Sequence, residues 1–131
     1  MTRRLRELTP TSATTARVDG RDCVVFCSND YLGLSWHPDV RAAYGKGGGA
    51  GSARLVSGHR PVHAELEDRI GELYGRPALL FPSGYQANVA LYATVPQAGD
   101  VVASDQLNHA SIIDGLRLSK ADRRVLAHNR P

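Results

Sequence analysis

Lysine is almost missing from this chain. Lys46 and Lys120 are the only two, so its positive charge is carried by arginine. Any chemistry that needs a lysine amine has two candidates at most. Sulfur is scarce as well, with two cysteines and one methionine. Cys23 and Cys27 are too few to staple a small secreted scaffold. On one face of a strand they would lie about 13 Å apart, too far for a disulfide, so buried reduced thiols are expected. Long apolar runs are missing. Ala78-Leu-Leu-Phe81 is far too short to span a bilayer, and the start, Met1-Thr-Arg-Arg-Leu-Arg-Glu, lacks the apolar core of a secretory signal. A strong excess of one charge is missing too. Sixteen Lys+Arg against thirteen Asp+Glu give +3, too small and too scattered a surplus to argue for nucleic acid. With 131 residues, 42% hydrophobic and 22% charged, the expectation is a globular, cytoplasmic chain with no membrane or nucleic-acid partner.

Glycine is plentiful, and it clusters. Gly45-Lys-Gly-Gly-Gly-Ala-Gly-Ser52 reads either as a linker or as a loop lying against a ligand. It is not a Walker P-loop, because Gly47 follows Lys46 and a helix precedes it. The dinucleotide fingerprint fails for want of a preceding strand.

Elsewhere the pattern punctuates cleanly. Thr2 to Leu8 has helical composition, Asp19-Gly20 marks a turn, and Cys23 to Cys27 reads as a strand. A short helix is expected from Pro38 to about Tyr44. Val62, Leu66, Ile70 and Leu73 recur at helical spacing, so Pro61 to Tyr74 reads as a helix with Gly75 as its C-cap. Then come a strand at Ala78–Phe81, a helix from Ser83-Gly84 to about Thr94, and a strand at Val101–Ser104. A helix at Ala110–Leu118 and a strand at Arg123–Ala127 follow. Strands alternating with helices imply an α/β fold with a parallel sheet, and ligands of such sheets sit beyond the carboxyl ends of the strands.

Two segments fall at those ends. In Phe81-Pro-Ser-Gly-Tyr-Gln-Ala-Asn88 a strand runs into a helix through a small polar residue and a glycine. The first amides of a helix have no intrahelical partner and the dipole is positive there, which suits a phosphate. An ordinary N-cap by Ser83 reads the same residues without a ligand. The second segment, Asp105-Gln-Leu-Asn-His109, ends on an imidazole, which equally reads as a helix cap or a surface residue. His59 and His63 lack an acidic companion for zinc. Ser83, Asp105 and His109 lack the G-x-S-x-G elbow of a hydrolase.

Taken in order, the motifs resemble the α-oxoamine synthases, a pyridoxal-phosphate family of fold type I. Ser28-Asn-Asp-Tyr-Leu-Gly-Leu34 is similar to the family's S-N-D-Y-L-G signature. Gly49 to Gly58, His63-Ala-Glu-Leu-Glu67, Leu80 to Asn88, Asp105 to Ser111 and Leu126-Ala-His-Asn129 follow in family order. The resemblance implies the N-terminal part of a three-layer large domain with an incomplete sheet. Residues 1–60 would hold an N-terminal helix, short strands and the glycine-rich loop. Residues 61–131 would begin the cofactor-binding domain.

It also implies roles. The cofactor is pyridoxal 5'-phosphate, its phosphate held by the amides of Gly84 and Tyr85 and its ring stacked on His109, which also meets substrate. Arg3, with Arg6 as the alternative, would take the substrate carboxylate through its fork of donors. Asn29 and Arg54 would touch acyl-CoA or substrate from a partner subunit.

The implied reaction condenses an amino acid, expected to be L-alanine, with an acyl-CoA or acyl-carrier-protein thioester and releases CO2, as in making the biotin precursor 8-amino-7-oxononanoate. The family's Schiff-base lysine lies beyond the last motif seen here. Neither Lys46 nor Lys120 has its sequence context, so no catalytic residue is expected in this chain. A homodimer, a complementing C-terminal half, or a non-catalytic module docking on a full-length relative are the partner arrangements left open. In the family's strand order, 3-2-4-5-6-7-1, the strand at Ala78–Phe81 would stand apart from the two that follow it.

Overall fold

The computed structural model describes residues 6–44 and 49–130. The chain divides into two compact units, Met1–Gly58 and His59–Pro131.

The first unit is built on an antiparallel meander of β1 (Leu8–Pro10), β2 (Thr15–Val18) and β3 (Arg21–Val24). Asp19 and Gly20 both adopt positive φ, 50° and 79°, between the paired Val18 and Arg21. Two consecutive positive φ values are the signature of the hairpin turn whose twist matches its strands, and Asp-Gly is its favoured pair. After β3 the chain folds on its own polar groups. Ser28 Oγ accepts from the Asp30 amide at 3.0 Å, and the Asp30 carboxylate accepts from the Ser35 hydroxyl at 2.5 Å. A short 3-10 turn, Leu34–Trp36, leads into α1 (Pro38–Ala43), whose first turn is capped by His37 Nδ1 accepting from the Asp39 amide.

Three sequence expectations are corrected here. Leu8 lies in a strand and not a helix, and residues 2–5 of the expected N-terminal helix lie outside the described residues. The strand expected at Cys23–Cys27 starts and stops earlier, because the Asp19-Gly20 turn fixes pairing from Arg21 onward. Cys23 and Cys27 are free but exposed, not buried.

The second unit opens on α2 (Pro61–Tyr74), with proline at the first helical position and His63 Nδ1 accepting from the Arg60 amide at 3.0 Å. Gly75 ends it at φ 64°, and the Arg76 amide closes back onto the Gly71 carbonyl. Then come α3 (Gly84–Thr94), β4 (Val101–Asp105), α4 (Ala110–Leu118) and β5 (Asp122–Leu126). β4 and β5 pair in parallel, in register from Val101–Asp122 to Asp105–Leu126. With its helices, this is the mixed α/β architecture the alternation predicts.

α3 and α4 pack closely at Gly115. A Cβ there would stand 2.9 Å from Tyr92 Cβ and 3.0 Å from the Asn88 carbonyl oxygen. Leu116 is buried beside it.

One expected strand does not form. Ala78–Phe81 belongs to no sheet, and the Leu80 amide donates to the Glu67 carboxylate at 2.6 Å. The sequence reads Ala78–Phe81 as a strand, but a strand exists only where a neighbour supplies its ladder, and among the described residues β4 pairs with β5 alone. Among the described residues the buried hydrophobic side chains are Ala16 and Leu116 alone, and Val62, Leu66 and Leu73 of α2 are exposed. No helix among them is long and apolar enough to cross a membrane.

Candidate functional site

The start of α3 combines three features that suit an anion. Ser83 stays extended, at φ −156° and ψ 157°, and its Oγ accepts from the Gln86 amide at 3.2 Å. The first intrahelical bond runs from the Ala87 amide to the Ser83 carbonyl, so the Gly84 and Tyr85 amides precede it. No acidic residue lies in the first turn. A Cβ built on Gly84 would meet nothing within 4 Å, so the space beside this glycine is open. The Ser83 cap and the phosphate seat are therefore compatible, because the cap consumes the third amide and leaves the first two.

The Tyr85 side chain does something else. Its hydroxyl donates to Asp114 Oδ2 at 2.5 Å, and Arg117 Nη1 donates to Asp114 Oδ1 at 3.0 Å. The hydrogen bond to Asp114 pushes the Tyr85 phenol above its ordinary value, because ionisation would set one anion against another. This bridge ties the first turn of α3 to α4.

The second part of the site is the turn after β4. Asp105 organises it: its Oδ1 accepts from the Leu107 amide at 2.7 Å, and its carbonyl accepts from the Asn108 amide at 3.1 Å. Asn108 Nδ2 donates to Ser104 Oγ at 3.0 Å, and the Gln106 amide donates to the Leu126 carbonyl across the sheet. The turn delivers His109 to the N-cap of α4, where Nδ1 accepts from the Ser111 amide at 3.2 Å. The ring is exposed. The cap reading of His109 thus holds in the fold, and the rest of the ring stays available to a ligand.

His128, just past β5, sets its Nδ1 3.1 Å from both Asp105 oxygens. Leu107's amide and then His128 hold the Asp105 carboxyl below the ordinary aspartate value. A hollow of about 300 Å³, lined by Asp105, Leu126, Ala127, Asn129 and Arg130, opens at these strand ends. A larger hollow, about 680 Å³, lies at the C-terminal half of α2. Its lining sets Glu67, Asp68 and Glu72 against Arg76 alone and includes no residue of either helix start, so it does not suit an anion.

The structure brings Gly84, Tyr85 and His109 onto the first turns of two helices that pack on each other. Arg3 and Lys46 lie outside the described residues. Arg6 is exposed in the first unit. Sequence reading missed the Tyr85–Asp114 bridge and the Asp105–His128 pair, which only folding makes neighbours. It missed Asn88 and Ser111 too. Asn88 lies one helical turn after Gly84, and that spacing was the available signal.

A family model of the aminotransferases of class I and II matches residues 21–130. The chain is 46% identical over 125 residues to an 8-amino-7-oxononanoate synthase from Halorhodospira halophila, covering 91% of this chain and 31% of that protein. It is 47% identical over 120 residues to one from Pseudomonas putida, covering 87% and 31%. Among solved structures, the Sphingomonas wittichii serine palmitoyltransferase superposes with a TM-score of 0.84 at 34% identity, over 93% of this chain and 32% of that one. The serine palmitoyltransferase from S. paucimobilis, solved with a PLP adduct bound, gives 0.82 at 30%, over 93% and 32%. The chain spans about a third of the length of the curated relatives it matches.

Proposed function

The chain belongs to the aminotransferase class I and II family, and from that membership we propose that it forms the cofactor-seating part of a pyridoxal-phosphate-dependent acyltransferase. Its relatives and structural neighbours are α-oxoamine synthases, which use pyridoxal phosphate. The reaction is the condensation of an amino acid, L-alanine, with an acyl-CoA or acyl-carrier-protein thioester, with loss of CO2, as in 8-amino-7-oxononanoate synthesis. The observation that carries the reading is the open start of α3, where two amides and an unobstructed glycine face an acid-free helix end.

The residues present fit the cofactor. Gly84 and Tyr85 hold the phosphate through their amides, and the helix dipole adds to the attraction. His109 would hold the cofactor's ring through its exposed imidazole. When bound, the cofactor supplies an electron sink for the negative charge left at the amino acid's Cα. Arg3 takes the substrate carboxylate, with Arg6 as the alternative. The assembly works in the cytoplasm, as a homodimer or with a complementing C-terminal half.

Neither lysine has the sequence context of the family's Schiff-base residue, and Lys46 lies outside the described residues. Lys120 follows α4, at the end opposite His109, and nine helical residues put about 13 Å between those ends. On this reading the chain by itself turns nothing over. Borohydride reduction with pyridoxal phosphate, followed by peptide mapping, tests this. Stoichiometric labelling of Lys46 or Lys120 would sink it.

A second reading has its own observation. Val62, Leu66 and Leu73 leave the apolar stripe of α2 uncovered, at 62%, 44% and 78% exposure. A non-catalytic module that docks this stripe on a full-length relative would look the same. Co-purification with such a relative, abolished by Leu66→Asp together with Leu73→Asp, would favour it.

A further inference from the structure

We infer that Asn88 and Ser111 are positioning residues for His109, forming a hydrogen-bonded line from α3 that fixes the orientation and tautomer of the imidazole. Ser111 is fully buried. Its Oγ has two partners: Asn88 Nδ2 at 2.9 Å and His109 Nδ1 at 2.7 Å. Its backbone amide also meets Nδ1, at 3.2 Å.

Donor chemistry then decides the direction of each bond. The Asn88 amide nitrogen can only donate, so Ser111 Oγ accepts there and keeps its own proton to give. The Ser111 amide can only donate as well. Two donors converge on Nδ1, so Nδ1 carries the lone pair and the neutral ring's proton sits on Nε2. A helix cap needs only the local amide bond. The link to Asn88 crosses from another helix, 23 residues away, and fastens the ring's support to the helix whose start is the phosphate seat.

Seat and ring are thereby held in one frame: Asn88 stands one turn beyond Gly84, and its carbonyl marks the close approach to Gly115. A polar network with every member satisfied holds one arrangement, because any other strands a buried group. The value of this to the reaction rests on the reading of His109 given above.

The test reads the imidazole directly. In the 15N-labelled chain at neutral pH, with His109→Gln used to assign the resonances, His109 is expected as the Nε2–H tautomer, with Nδ1 displaced by hydrogen bonding. Ser111→Ala removes the hydroxyl but keeps the amide, and should lose most of that displacement. Asn88→Asp should act alike, because a carboxylate takes the Ser111 proton away from the ring. It serves as the second variant should the buried one fail to fold, with circular dichroism as the check. An Nδ1–H tautomer in the unmodified chain, or unchanged Nδ1 shifts in folded variants, overturns the inference.

A separate arm addresses His109's role. If His109→Ala binds pyridoxal 5'-phosphate as tightly as the parent chain, the ring-stacking reading fails. The nitrogen shifts still decide the relay independently.

Discussion

The starts of α3 and α4 solve one problem in two ways. Each helix must satisfy amides that have no intrahelical acceptor. α3 uses a short hydroxyl, Ser83, followed by glycine, and so leaves its first two amides open to solvent. α4 uses an imidazole, His109, and fills its cap with a flat ring pinned through Ser111. A small cap makes the backbone the ligand-facing surface, whereas a large one makes the cap itself that surface. On the proposed reading the two starts would divide the recognition of one cofactor, phosphate to the first and ring to the second.

The comparison depends on the two helices being held together, and breaking that contact should have the largest effect. Gly115→Val drives a branched side chain into Tyr92 and the Asn88 backbone, where even a Cβ lies at 2.9 and 3.0 Å. Overpacking of this kind costs about 3 kcal/mol, and urea unfolding should read it as a lower midpoint. Gly84→Val acts on the first start alone. Nothing lies within 4 Å of its Cβ, so the fold should survive. Pyridoxal-phosphate affinity in a complete enzyme should fall by about 1–3 kcal/mol, the scale of one or two charge-assisted bonds.

At the second start, His109→Ala should lose the cap, about 1 kcal/mol in stability. His109→Asn should restore the cap but not the ring, and His109→Phe the ring but not the cap. Turnover of the complete enzyme following Phe, with stability of the chain following Asn, would sharpen the division of labour, and the reverse would break it. The smallest effect concerns Asp105. Its carboxyl is held low by Leu107's amide and His128, so its contribution is present above the ordinary aspartate value. It is lost as pH falls through the lowered one. Asp105→Asn should remove that contribution at neutral pH and flatten the acid limb of an unfolding series, leaving stability below the lowered value nearly unchanged.

Much of the second unit was legible because its signals are local. Proline at Pro61, glycine at Gly75 and the spacing of Val62, Leu66, Ile70 and Leu73 bound α2 at the residues the structure shows. Ser83 and His109 mark helix starts by their own chemistry. What escaped depends on neighbours. Ala78–Phe81 has strand composition and no partner strand. The cysteines sit in an apolar stretch and are nonetheless exposed. β1 and β2 are short and carry polar residues, so only the Asp19-Gly20 turn announced them. At the site, Gly84, Tyr85 and His109 could be named from motif order. Asn88, Ser111, Asp114 and His128 act through partners 23 or 29 residues away, and no window of sequence brings those together.

The apolar Ala78–Phe81 segment has a consequence for handling the protein in solution. It is uncharged and apolar, Leu79 is 67% exposed, and it lies outside both sheets. A stretch of that character recruits any strand edge it meets, including its own copy on another molecule. Colloidal behaviour should therefore depend steeply on concentration. Leu79→Lys, a gatekeeping charge on the exposed side, should raise the solubility limit without disturbing either helix start.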